Sequence, residues 1–267
     1  MFALIKSSLQ IGLRGNTIRG IALFGAFLIF LAYLTGSFSP RQPQTVALDV
    51  GFSFLRITLV FLAIFWIQEL ISKEIDKKTI YFTLAYPIPR WQYLISRYIA
   101  VLALSAVFTL IYALMLLMAA TYANTEYQQQ FIVNLGAPFW FTLLGLYLDV
   151  AVVTSFALLV ATFATTPLLP LALGLIYAIA GKGLGAALEY IHAGADGNAK
   201  MVSNFKQLLD VINWLIPDLS RLDWRISALY NLPINYSAMA LSCLMAISYI
   251  CILLSLAALI FQRRESF

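Results

Sequence analysis

The chain has 267 residues, of which 62% are apolar and 11% charged, with a mean hydropathy of +0.87. Soluble domains hold about 45–50% apolar and about 25% charged residues, so no aqueous core can hide this surface, and disorder, collagen and disulfide scaffolds are excluded with it. What remains is a polytopic membrane protein built from apolar helices of roughly 20 residues, and the net charge of +5 reads first as membrane asymmetry rather than as a nucleic-acid footprint.

Residues 2–14 place Phe2, Ile5, Leu9 and Leu13 at helical spacing with Lys6, Gln10 and Arg14 on another face, which predicts an interfacial helix anchoring the N-terminal region. The first apolar stretch, about 19–36, follows Lys6, Arg14 and Arg19 as a signal peptide would. No small-x-small cleavage site follows at a suitable place, so it reads as a span. Further spans are predicted at about 52–71, 93–121, 138–164, 167–188 and 236–261, limited by charges and Pro/Gly clusters. Between the last two, Met201, Val202, Phe205, Leu208, Leu209 and Ile212 share a period opposite Lys206, Gln207 and Asp210, predicting a second amphipathic helix that lies on the outer leaflet or dips back into the bundle. The expected fold is therefore all-α, six transmembrane helices in one domain over 1–267.

Lys6, Arg14, Arg19, Lys73, Lys77, Lys78, Arg90, Arg97, Arg263 and Arg264 fall in short segments on one side. Arg41, Lys200, Lys206, Arg221 and Arg225 are spread over longer loops on the other. The positive-inside rule then puts both termini in the cytoplasm. Cys243 and Cys251 lie about 12 Å apart along one helix, too far for a disulfide. The single histidine, His192, gives a metal site too few ligands, so no metal is expected. Trp66, Trp91, Trp140, Trp214 and Trp224 stand near predicted span ends, as interface aromatics do.

The stretch between the second and third spans carries the most information. It runs from Gln68 and Glu69 through Lys73, Glu74, Asp76, Lys77, Lys78 and Thr79 to Pro87, Pro89 and Arg90, with Arg97 inside the next helix. A charged helix, an apolar stretch, a Pro-x-Pro-Arg turn and a restarting span form a structured knob. Glu69 and Lys73 have the favourable order for an i,i+4 ion pair.

This order of residues resembles the permease subunits of ATP-binding cassette exporters of the type-two superfamily. Glu74, Lys78-Thr79, Pro87, Arg90 and Arg97 fall on the positions of that family's pattern. The family often has Gly where Lys78 stands, Ser or Thr where Pro89 stands and Lys where Arg97 stands. The six-span layout and the Leu215 to Pro217 segment before the last span extend the likeness over the chain. The resemblance implies a coupling helix, with Glu74, Asp76, Lys77, Lys78, Thr79, Pro87, Arg90 and Arg97 as the ATPase-coupling residues. It also implies two copies of a cytoplasmic ATPase subunit, which hold the ATP and Mg, and a second permease chain as homodimer or related heterodimer. The expected location is the inner membrane, the expected activity export, and no nucleic acid is expected as partner.

No cofactor site is expected in this chain itself. A phosphate-cradling loop needs Gly, four residues, then Gly-Lys-Ser/Thr, and Gly181-Lys182-Gly183-Leu184-Gly185 lacks both the upstream Gly and the hydroxyl. Gly181 and Gly185, with Ala178 and Gly174 on earlier turns, read as a small-residue packing surface, and Lys182 as a side chain snorkelling to the outer interface. Arg56 and Asp149 are the charges that remain inside predicted spans once Glu69, Arg97 and Lys182 near the span ends are set apart; they are candidates for a substrate path or a structural ion pair, and the span limits put them roughly 10 Å apart in depth. A stand-alone membrane enzyme is the rival reading, with Asp149 as its acid; a non-transporting assembly factor is the third.

Overall fold

The computed structural model describes residues 2–76, 78, 80, 88–123, 132–192 and 217–263. The described residues are helical, without strands. Helix α1 (Phe2–Arg14) leads through Gly15 into α2 (Asn16–Ser37). Helix α3 (Pro43–Ile67) continues through a π-helical turn, Gln68–Ser72, into α4 (Lys73–Asp76). Then come α5 (Arg90–Tyr122), α6 (Ala137–Phe163) and α7 (Leu169–His192). A 3₁₀ turn at Leu219–Leu222 and a short α8 (Arg225–Tyr230) precede α9 (Tyr236–Arg263).

Five helical stretches are long and apolar enough to cross a membrane: Asn16–Ser37, Pro43–Asp76, Arg90–Tyr122, Ala137–Phe163 and Tyr236–Arg263. Within α7 a shorter apolar stretch, Leu169–Gly185, stands where the fifth span is predicted. The amphipathic segment expected at 201–216 lies outside the described residues, as do Lys77, Thr79 and Pro87.

The packing order follows from apolarity. Helix α6 is apolar all round and buries most of its length, as a central helix must. Helices α2 and α9 bury only 22% and 17% of their most apolar windows, so their outer faces are left for lipid or another chain. The core joins Leu48, Phe52, Leu55 and Leu59 of α3 to Phe139, Leu146 and Val150 of α6, with Tyr112 and Leu116 of α5.

Three predicted features are corrected. The second span begins at Pro43, not near 52: proline starts the helix at its first turn, and Asp49, which lies before the predicted limit, is tolerated there because Arg225 holds it at 3.0 Å. Trp66 is wholly buried rather than interfacial, because Gly12 of α1 leaves room for its indole. Helix α1 is more than an anchor, since Ser8 and Gly12 face the bundle while Ile11 and Leu13 stay exposed.

Candidate functional site

Charged side chains gather in two groups, one at an end of the bundle and one running from its middle toward the other end. At the end where α3 passes into α4, here the knob end, the π-helical turn rotates the following residues and brings Glu74 against α5. One Glu74 carboxylate oxygen accepts from Arg97 Nη2 at 2.6 Å and the other from Tyr93 Oη at 2.6 Å. Arg97 is only 3% exposed; it donates to Ser8 Oγ of α1 at 2.6 Å and lies over the Tyr93 ring at 5.0 Å. Such charge-assisted bonds in a dry setting are strong because neither partner has water to replace the other. Tyr93 also stacks on Phe261 of α9, and Arg90 Nη1 reaches the α9 carbonyls of Phe261 and Gln262 at 3.4 and 3.3 Å. A cation on the last carbonyls suits the negative end of the α9 dipole.

The knob therefore splits into two sets. Glu74, Arg90 and Arg97 turn inward and tie α4, α5, α1 and α9 together, whereas Asp76 and Lys78 are exposed. Lys78 has φ of +57°, the left-handed region where glycine is at no disadvantage. Glu69 and Lys73 form the expected i,i+4 pair at 3.2 Å.

Midway along the bundle, Arg56 and Asp149 are in direct contact. Arg56 Nε donates to one Asp149 oxygen, and Nη2 donates to the other at 3.4 Å and to the Ala178 carbonyl at 3.0 Å. The predicted offset in depth disappears because α3 starts earlier: Arg56 is 13 residues into α3 and Asp149 12 residues into α6, about 20 and 18 Å from those helix ends. Asp149 is 1% exposed.

Above this pair lies a second cluster that the linear reading left as loop charges. Lys182 pairs with Asp223 instead of snorkelling. Arg225 binds Asp223 at 2.6 Å, Asp49 at 3.0 Å and Ser53 Oγ at 2.9 Å. Burial pushes the Asp223 carboxyl up, but hydrogen bonds from Arg225 and the charge of Lys182 outweigh it and hold it down at about 2. Hydrogen bonding to Asp223 correspondingly raises Arg225. The alternation of Asp218, Arg221, Asp223 and Arg225 was the one visible signal, opposite charges two or three apart with mainly apolar residues between them.

These charges reach the bundle because residues 217–230 dip into it. A Cβ on Gly145 would strike the Leu222 carbonyl oxygen, one on Gly181 the Leu219 side chain, and one on Gly185 Ser220 and Asp218. The small-residue surface of α7 thus receives this re-entrant segment, and Asp218 caps its 3₁₀ turn by accepting from the Ser220 amide at 3.1 Å.

A family model described as ABC-2 family transporter protein matches residues 13–266, nearly the whole chain. The chain belongs to the ABC-2 family. As an ABC-2 protein it is a multi-pass membrane permease of an ABC transporter, a class that works with an ATP-binding subunit. No curated protein matches this ABC-2 chain.

Proposed function

We propose that this ABC-2 permease exports a substrate from the inner membrane or across it, as one domain with six spans, α7 supplying the fifth, and both termini in the cytoplasm. Two permease chains pair, identical or related, and each takes up one of two cytoplasmic ATPase subunits, which hold the ATP and Mg. The knob end faces the cytoplasm. Asp76 and Lys78, with the neighbouring Lys77, Thr79 and Pro87, meet the ATPase.

The observation that carries this reading is the Glu74–Arg97–Ser8 brace with its Tyr93 and Arg90 arms. A docking knob transmits force only if it is rigidly joined to the spans, and the brace joins it to α5, α1 and α9 at once. Glu74, Arg90 and Arg97 are in this view transmission residues, and Asp76 and Lys78 contact residues. Arg56 and Asp149 take the structural role of their two expected ones, because the carboxylate is buried and engaged by the guanidinium. The same pairing disfavours Asp149 as the acid of a stand-alone enzyme, since both its oxygens are engaged by the Arg56 guanidinium and the group is buried away from any open cleft.

Affinity purification of the full chain from its native membranes tests the proposal. An ATPase subunit is expected to copurify. Asp76→Lys with Lys78→Glu is expected to weaken its retention without lowering thermal stability, and deletion of residues 74–90 to abolish it. An intact, ATP-driven complex after that deletion would overturn the reading.

A further inference from the structure

A cavity of about 740 Å³ opens between the re-entrant segment and the first turns of α9. Its volume lies within the range of small-molecule sites, about 300–1,000 Å³. The wall on α9 runs from Ala238 to Met245, roughly 10 Å along the helix axis. Trp224, Met239, Leu241 and Met245 give it an apolar lining. It opens beside the least buried span, where Leu241 and Leu244 are 67% and 61% exposed. A chain entering sideways along α9 therefore stays mainly among apolar groups, Ser242 being the polar residue on that wall.

Two polar groups at this cavity are uncommitted. Arg221 is 60% exposed and spends only Nε on Asp218, at 3.2 Å; Nη1 and Nη2 make no hydrogen bond among the described residues. The Ser227 hydroxyl likewise has no hydrogen-bond partner among them. The other charge lining the cavity, Asp223, is neutralised by Lys182 and Arg225. The cavity thus combines an apolar slot with a planar guanidinium that keeps Nη1 and Nη2 unengaged among the described residues while Nε pairs with Asp218, and that fork matches the paired oxygens of a phosphate.

We infer that this cavity binds an anionic phospholipid, its phosphate on Arg221 and Ser227 and one acyl chain along the α9 wall. The inference stands apart from the ATPase reading: it needs only that α9 borders lipid, and holds whichever way the chain is oriented. Trp224 supplies a built-in reporter. Full-length protein in nanodiscs is titrated with brominated phosphatidylglycerol or brominated phosphatidylcholine while tryptophan fluorescence is followed, with Trp224→Phe isolating the cavity signal.

Quenching of Trp224 is expected at lower mole fractions of phosphatidylglycerol than of phosphatidylcholine. Arg221→Gln should shift the phosphatidylglycerol midpoint about tenfold, the scale of one charge-assisted contact at a partly exposed site. Ala238→Phe, at an exposed helix position that lines the cavity, should remove the Trp224 component while leaving thermal stability unchanged. Equal quenching by the two lipids, indifferent to both substitutions, would reduce the site to ordinary surrounding lipid and overturn the inference. Disulfide crosslinking of Ala238→Cys between two copies, with loss of quenching, would assign the cavity to a chain-chain interface and overturn it as well.

Discussion

Asp149 and Arg56 are both far from water, so each is tolerable only because of the other. Removing one partner of such a pair leaves an uncompensated buried charge, which costs about 3–5 kcal/mol, whereas replacing both with apolar groups of like volume is often neutral. Asp149→Leu and Arg56→Met should each lower the thermal midpoint in detergent sharply, and the double variant should recover most of the loss. If the double variant were as damaged as either single one, a role beyond mutual compensation would be required. Asp223 makes a different prediction. Its carboxyl is held at about 2 against an ordinary 3.8, so its stabilising contribution is complete above pH 3.8 and is lost as pH falls through about 2. The magnitude is on the order of 2 kcal/mol. The stability gap between the native chain and Asp223→Asn should therefore be constant from pH 7 to 5 and close below pH 3.8, as followed by thermal unfolding.

At the scale of elements, backbone conformation explains one departure from the family pattern. Lys78 occupies a left-handed conformation where the family often has glycine, so the fold of the position asks for φ freedom, whatever its exposed charge does toward a partner. Lys78→Gly should leave stability within about 1 kcal/mol of the native chain, while the β-branched Lys78→Val should cost about 1–2 kcal/mol. The seat of the re-entrant segment follows the same logic of backbone space. Gly145→Val would push the Leu222 carbonyl away, and the Asp223 and Arg225 contacts beyond it would loosen. A Ser220→Cys reporter should then react faster with a membrane-impermeant maleimide. Periodicity and apolarity were enough to locate α1, α2, α5, α6 and α9 within a few residues. They failed for the start of α3, because an apolar run taken alone leaves Asp49 outside it, and the partner that holds that charge, Arg225, is 176 residues away.

For the whole molecule, the two charge clusters divide the labour. The knob end joins α1, α4, α5 and α9 through Glu74, Tyr93, Arg90 and Arg97; from the middle of the bundle toward its other end, Arg56, Asp149, Lys182, Asp223 and Arg225 lock α3, α6, α7 and the re-entrant segment. Arg97→Met should therefore leave the ATPase partner bound, since Asp76 and Lys78 keep their exposed places, yet uncouple transport from ATP hydrolysis. A retained complex with unchanged coupling in reconstituted vesicles would show that the brace transmits nothing. By itself the sequence determined the medium and the family: too much apolar surface for water, helical stretches of spanning length, and a knob whose residue order matches ABC-2 permeases. These are properties of composition and local order, which the chain carries before it folds. Only the tertiary structure decided which charges are partners, that Glu74 and Arg97 face inward while Asp76 and Lys78 face out, and that residues 217–230 pack back against the bundle and leave a cavity of about 740 Å³ against α9. Each of those depends on distances between residues tens to more than a hundred positions apart, set by how deep each helix starts and where a glycine lets two backbones meet.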